Sequence, residues 1–227
     1  LLSVACFVLV VARLKSSASE ASIAVLCLFQ SLFLIMDHGQ VDLAILALLV
    51  LAYQLASDRP ILAGIAWGIA CLLKPPAGLL LFAFARYRRY RAIAAAALTG
   101  VAGCTLVAAR DGSETLALFG DWRTLLGGAT ETWILRHDAQ GWPTAILSFA
   151  SAAGIFDGNP TGFHLAIAQL FSLAIFLGLY AWRRPAGDEE LAWLALGVVL
   201  LSPQAWRANF VLALPAVVIA VRRWRSG

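Results

Sequence analysis

Residues 61–85 read ILAGIAWGIACLLKPPAGLLLFAFA, an apolar run broken once, at Lys74-Pro75-Pro76. Paired prolines remove two backbone donors and crowd the preceding turn, so a break is expected there on local grounds. The two halves, 13 and 9 residues, span only ~20 Å and ~14 Å at 1.5 Å per residue. The break is therefore expected to lie below a membrane surface. Irregular backbone survives at such depth only when buried in protein or lining a polar cavity.

The rest of the chain has the same character. It is 61% hydrophobic and 13% charged over 227 residues, against about a quarter charged in soluble domains, and its mean hydropathy is +0.83. Apolar stretches recur at 1–14, 21–36, 41–57, 61–73, 77–85, 92–109, 163–182, 191–202 and 208–221. Barrel strands would alternate polar and apolar residues, whereas these runs do not, so they read as helices. The expected fold is all-α, a polytopic transmembrane helical bundle forming a single domain over residues 1–227. Residue 1 is Leu and the first run ends at Leu14, short of the ~20 residues a span needs, so a truncated first span is expected. A secretory signal fits less well, because no basic residue precedes this run and Arg13-Leu14-Lys15 follows it. Cys6, Cys27, Cys71 and Cys104 sit inside apolar runs, where cysteine acts as a small hydrophobe with no disulfide or zinc partner.

Splitting residues 61–85 at the prolines decides the topology. With Arg13–Ser19 on the cytoplasmic side, strict alternation brings Arg59, Arg86, Arg88, Arg89, Arg91, Arg183, Arg184, Arg222, Arg223 and Arg225 to that side with Arg13 and Lys15. That is twelve of the seventeen basic residues, as the excess of cytoplasmic Lys and Arg requires. A single unbroken helix would throw Arg86–Arg91 to the other face. Residues 110–162 become an extracytoplasmic loop, in which 115–126 and 130–135 suit surface helices and Trp142-Pro143 opens an interfacial or re-entrant one. The Ala-rich stretch 92–98 suits close helix packing.

The same alternation gathers polar residues from distant stretches at the extracytoplasmic side: Asp37-His38-Gly39-Gln40 with Asp42, Lys74, His137-Asp138-Ala139-Gln140, and Ser202-Pro203-Gln204-Ala205-Trp206-Arg207. Asp37 and His38 serve equally well as helix-end caps. Asp42 lies one step inside a span, where a carboxylate carries part of the ~2.5–3.5 kcal/mol that it costs at a span's centre on insertion scales; function is favoured over capping there. Lys74 is either a snorkelling lysine or a three-donor cation for a phosphate. Arg207 is either an interfacial anchor or an anion ligand, and His137 with Asp138 is most simply a solvated loop pair. His164 reads as interfacial and structural.

Several chemistries are excluded by what the sequence lacks. There is no G-x-S-x-G, H-E-x-x-H, G-x-G-x-x-G or Walker A loop. No metal, cofactor or nucleic acid is expected, and an activated group would have to arrive from the lipid phase. The basic clusters beside spans report orientation rather than a nucleic-acid footprint. A transporter or flippase of an anionic or lipid-linked substrate is the main competing class, since carriers also place a cation at a broken helix. Carriers often repeat such a break in each half, and only one clear break is present. A non-catalytic scaffold leaves the one-sided polar clusters without a purpose.

Gly39-Gln40-Val41-Asp42-Leu43, Arg59-Pro60 with Leu62-Ala63-Gly64, Leu73-Lys74-Pro75-Pro76 and the arginine-rich turn Arg86–Arg91 together resemble glycosyltransferase family 87. Leu201-Ser202-Pro203-Gln204-Ala205-Trp206 is similar to that family's late Ser-Pro-x-x-Trp turn, and Ala139-Gln140-Gly141 stands where the family often has Asn-Gln-Ser. Departures are Asp42 in place of a common Asn, Arg207 near where a histidine is frequent, and the loop triplet itself. The resemblance implies a C-type, polyprenyl-phosphate-mannose-dependent mannosyltransferase in a bacterial cell membrane, acting on a lipid or glycan acceptor at the extracytoplasmic face. It places the general-base aspartate in a first outer loop, upstream of this chain. Lys74 and Arg207 would then face the donor phosphate, and Gln40 and Gln140 the sugar hydroxyls. Asp42 would orient Lys74 or bind sugar.

Overall fold

The computed structural model describes residues 2–38, 41–112, 114, 117, 120, 121, 124, 141–156, 160–202 and 207–226, with the side chains of 36–38 and 208 outside that description. Among the described residues the fold is all-α, with no strand. The helices are α1 (Leu2–Arg13), α2 (Ala18–Cys27), α3 (Phe29–His38), α4 (Asp42–Leu55), α5 (Pro60–Leu73), α6 (Leu80–Arg86), α7 (Tyr90–Asp111), α8 (Trp142–Ala152), α9 (Gly162–Arg183), α10 (Asp188–Leu200) and α11 (Leu214–Ser226). Two 3-10 segments, Pro75–Leu79 and Arg207–Ala213, interrupt what would otherwise be longer helices.

Local chemistry accounts for most of these boundaries. Ser17 caps α2 and exchanges bonds with Glu20 in a reciprocal capping box. Pro60 opens α5 at the position where its missing N–H costs nothing. The expected break falls at Lys74, whose backbone is extended (φ −149°, ψ 99°). Beyond it the chain turns back: the Trp67 indole donates to the Ala77 carbonyl at 3.0 Å, and the Trp67 and Phe84 rings meet edge-on at 5.1 Å. In an unbroken helix those two residues would stand ~25 Å apart, so the prolines create a hairpin.

Two expected runs are not single helices. Residues 21–36 are bent by 76° between α2 and Phe29–Ile35. Residues 208–221 begin as the 3-10 segment and turn α-helical only at Leu214. Pro215 supplies the reason for the second, because it cannot donate to Val211 and its ring strikes that carbonyl.

α7 and α9 are each 22 residues, and each contains an 18-residue stretch whose mean hydropathy is 2.0 and 1.9 respectively. At ~33 Å they match a hydrocarbon core of about 30 Å, and large parts of both surfaces are exposed, as lipid-facing helices require. The bent α2–α3 pair forms a third candidate span, whereas α1, α4 and α5 are apolar but shorter.

The chain divides into two compact units. The first comprises residues 1–100, 183–199 and 207–227. Its centre is α4, which packs on α1, α5 and the segment Arg207–Ala213, while α3 and α11 also touch that segment. Leu43, Leu46, Leu49 and Val50 of α4 are fully buried there. α5 meets the start of α7 through Gly64 and Gly68. A methyl group at Gly64 would strike the Ala92 carbonyl and come within 2.5 Å of the Ala95 Cβ, and one at Gly68 would come within 2.7 Å of the Thr99 Cβ. The Ala-rich face expected to allow close packing is used in this way.

The second unit, residues 101–182 and 200–206, contains α8 and α9. Leu147 and Ala168 form its small core with Ile146, Phe156 and Leu165. Gly141, before α8, lies so close to the Ser202 carbonyl that a side chain there would collide with it. His164 Nδ1 accepts from the Thr161 N–H at 3.1 Å and the ring stacks on Phe156 at 4.6 Å, a structural placement at the start of α9. Of the expected loop helices, 130–135 lies outside the described residues, and of 115–126 only 117, 120, 121 and 124 are described, all helical.

Replacing Gly64 with Leu is expected to force α5 off α7 and to cost about 1–3 kcal/mol, as overpacked cores do. Thermal unfolding of the detergent-solubilised protein measures it, with Gly100→Leu, where nothing lies within 4 Å, as the tolerated comparison.

Candidate functional site

Asp42 is the first residue of α4, where negative charge suits the helix dipole. It is nevertheless 4% exposed, and a buried carboxylate is tolerated only with partners. Both oxygens have one. Lys74 Nζ donates to Oδ1 at 2.6 Å, and Asn209 Nδ2 donates to Oδ2 at 2.8 Å. Nearby, Ser31 of α3 donates to the Arg207 carbonyl at 2.7 Å. Four stretches thus meet at one place: α3, the head of α4, the proline break and the segment Arg207–Ala213.

Each contributes for a local reason. The break leaves Lys74 extended, which frees its side chain from the α5 surface and turns it toward α4. Its side chain keeps 17% exposure while the Asp42 side chain keeps 5%, so Lys74 is the more accessible partner of the pair. An ammonium has three donors; the bond to Asp42 uses one of them. The 3-10 geometry of 207–213 carries Asn209 onto Asp42.

The candidate residues fare differently. Asp42 and Lys74 are in direct contact. Arg207 joins them through its backbone, by the Ser31 bond and by Asn209 two residues on, while its side chain is exposed. Asp37 and His38 lie in the last turn of α3, with side chains outside the described set. Gln40, His137, Asp138 and Gln140 lie outside the described residues altogether.

Asn209 was not singled out by sequence, although a polar residue within the apolar run 208–221 carries the same signal as Asp42. The far end of α4 holds a second network that sequence also missed. Glu190 is fully buried; Tyr53 donates to its Oε2 at 2.6 Å and Arg86 to its Oε1 at 3.2 Å. Burial raises the pKa of the Tyr87 phenol, and the Glu190 charge and hydrogen bond push it the same way. Glu20 is held by Arg222 at 3.4 Å, and Arg222 also reaches the Leu14 carbonyl at 3.0 Å. Arginines expected on one membrane side thus gather at that end of the first unit.

Residues 1–203 match the family model described as Glycosyltransferase family 87. No curated protein matches the chain, and no solved structure does. Asp42 and Lys74 lie within the matched range; Arg207 and Asn209 lie just beyond it.

Asn209→Ala removes a hydrogen bond from a buried carboxylate and is expected to cost about 1.5–3 kcal/mol. Asn209→Asp, which sets a second negative charge against Asp42, is expected to cost more. Both follow from melting temperatures measured alongside wild type.

Proposed function

The chain belongs to glycosyltransferase family 87, and from that premise we propose that it moves mannose from a polyprenyl-phosphate donor to a lipid or glycan acceptor at the extracytoplasmic face. A membrane glycosyltransferase follows from the family and the apolar helices. A phosphate-linked donor is supported chiefly by Lys74, held against Asp42 at the broken helix.

Sugar transfer from a lipid phosphate makes one glycosidic bond and breaks another. The acceptor hydroxyl attacks the anomeric carbon and gives its proton to a general base, and the phosphate leaves with the electron pair. Charge building on that phosphate needs a fixed cation in a site shielded from bulk water. Lys74 suits the task, because the proline break sets it in a largely buried setting and Asp42 holds it in place. Asp42, with both oxygens engaged, orients Lys74 rather than taking the acceptor proton. Asn209 holds the second oxygen and so keeps Asp42 from rotating away.

Arg207 supplies a further cation for the phosphate, and Gln40 and Gln140 bind sugar hydroxyls in this reading. Asp37, His38, His137 and Asp138 are secondary candidates for the acceptor side. The extracytoplasmic assignment rests on the distribution of Arg and Lys. It puts the Lys74 end of α4 opposite the arginine-bearing end, where Glu190 and Glu20 are paired.

Lys74→Ala, in membranes containing the full-length protein and supplied with radiolabelled polyprenyl-phosphate-mannose, is expected to lower transfer by roughly 10²-fold, the scale of losing one charge-stabilising group. Unchanged transfer at unchanged donor affinity removes Lys74 from the site. Label that crosses the membrane without entering a glycosidic product favours a flippase instead.

A further inference from the structure

We propose that the arginine-bearing end of the first unit contains a binding site for the phosphodiester headgroup of an anionic membrane lipid. The site is a cleft of about 190 Å³ lined by Tyr53, Ser57, Phe84, Tyr87, Arg89 and Gly187. It lies at the other end of α4 from Lys74 and is independent of the transfer reaction.

The cleft lies between the end of α4, the turn after α6 that carries Arg89, and Gly187. Arg86 donates to the Pro185 carbonyl at 2.9 Å, which brings the turn Arg86–Arg91 against the turn Arg183–Gly187. In its wall, Arg89 Nη2 donates to Ser57 Oγ at 2.8 Å. That bond fixes the guanidinium plane and leaves the serine proton free to point outward. A guanidinium fork beside a hydroxyl matches two oxygens of a phosphodiester.

Charge around the cleft favours an anion. Glu190, behind the wall, is answered by Arg86 and by the Tyr53 hydroxyl. Glu189 pairs with Arg223 at 2.8 Å and Asp188 with Arg222 at 3.9 Å. Asp58, beside Ser57, is followed directly by Arg59. Arg88, Arg91 and Arg184 are exposed. Arg88 and Arg184 also hold left-handed backbone, φ 54° and 48°, at helix ends where glycine is the relaxed choice.

The surroundings indicate a lipid rather than a free anion. Tyr90, one residue beyond Arg89, is 64% exposed, and Leu81 on α6 is 43% exposed; an exposed tyrosine and an exposed leucine next to a basic turn suit the interface between headgroups and acyl chains. Negative headgroups attract such basic segments at roughly a fivefold gain in affinity per arginine.

The test measures retention of phosphatidylglycerol, against phosphatidylcholine, by native mass spectrometry of the full chain released from mixed-lipid nanodiscs. Arg89→Gln is expected to lower phosphatidylglycerol retention roughly fivefold, and Ser57→Ala to lower it in the same direction. Arg225→Gln, an exposed arginine at the same end that contacts Ser19, is expected to change it less than about twofold. Melting temperatures confirm folding, and Ser57→Ala carries the test if Arg89→Gln does not fold. Equal losses for Arg89 and Arg225 overturn the site in favour of diffuse attraction. Displacement by inorganic phosphate at matching concentration, or equal retention of phosphatidylcholine, overturns it as a lipid site.

Discussion

A carboxylate buried at the head of an apolar helix is the constraint around which the first unit is organised. Asp42 carries a charge that the interior tolerates only when answered at once by a cation and a second donor. The answer comes from Lys74, 32 residues later in the chain, and from Asn209, 167 residues later. To deliver them, α5 must end at the prolines and the last apolar run must begin as 3-10 rather than α-helix. The irregular backbone at both places, unfavourable by itself in a membrane, is what the buried charge requires.

The opposite end of α4 obeys the same rule with different residues. Glu190 is fully buried and is matched by Tyr53 and Arg86. α4 is therefore held at both ends by carboxylate networks, with fully buried Leu43, Leu46, Leu49 and Val50 between them. Its 14 residues make it about 21 Å long, shorter than α7 and α9, which are long and apolar enough to cross a bilayer core. Short helices with polar ends leave room for a cavity at the surface, whereas long, uniformly apolar ones supply the boundary with lipid.

Much of this was legible in the sequence because it follows from local chemistry. Lys74-Pro75-Pro76 breaks a helix wherever it occurs, so the hairpin at residues 61–85 could be read directly. Ser17 with Glu20 spells a capping box in four residues. The depth of Asp42 in an apolar run marked it as needing partners, and Lys74 was expected on the same side. The 76° bend between α2 and α3 was not legible, since residues 21–36 contain neither proline nor glycine. The 3-10 start of 207–213 had its signal in Pro215, which acts on the turn before it. The burial of Glu190 was not legible, because nothing in Asp188-Glu189-Glu190 says which of the three turns inward.

The sequence by itself determined that this chain is helical, that it belongs in a membrane, and where the interrupted apolar run at residues 61–85 must fold back. Those properties depend on transfer energies and backbone sterics, which act residue by residue. Only the tertiary structure decided that Asn209 completes the pair Asp42–Lys74, that Arg207 joins through its carbonyl, and that Glu190 rather than its neighbours is buried. Partner choice for a buried charge depends on which side chains packing carries within hydrogen-bonding distance, and that distance is set by helices meeting from opposite ends of the chain.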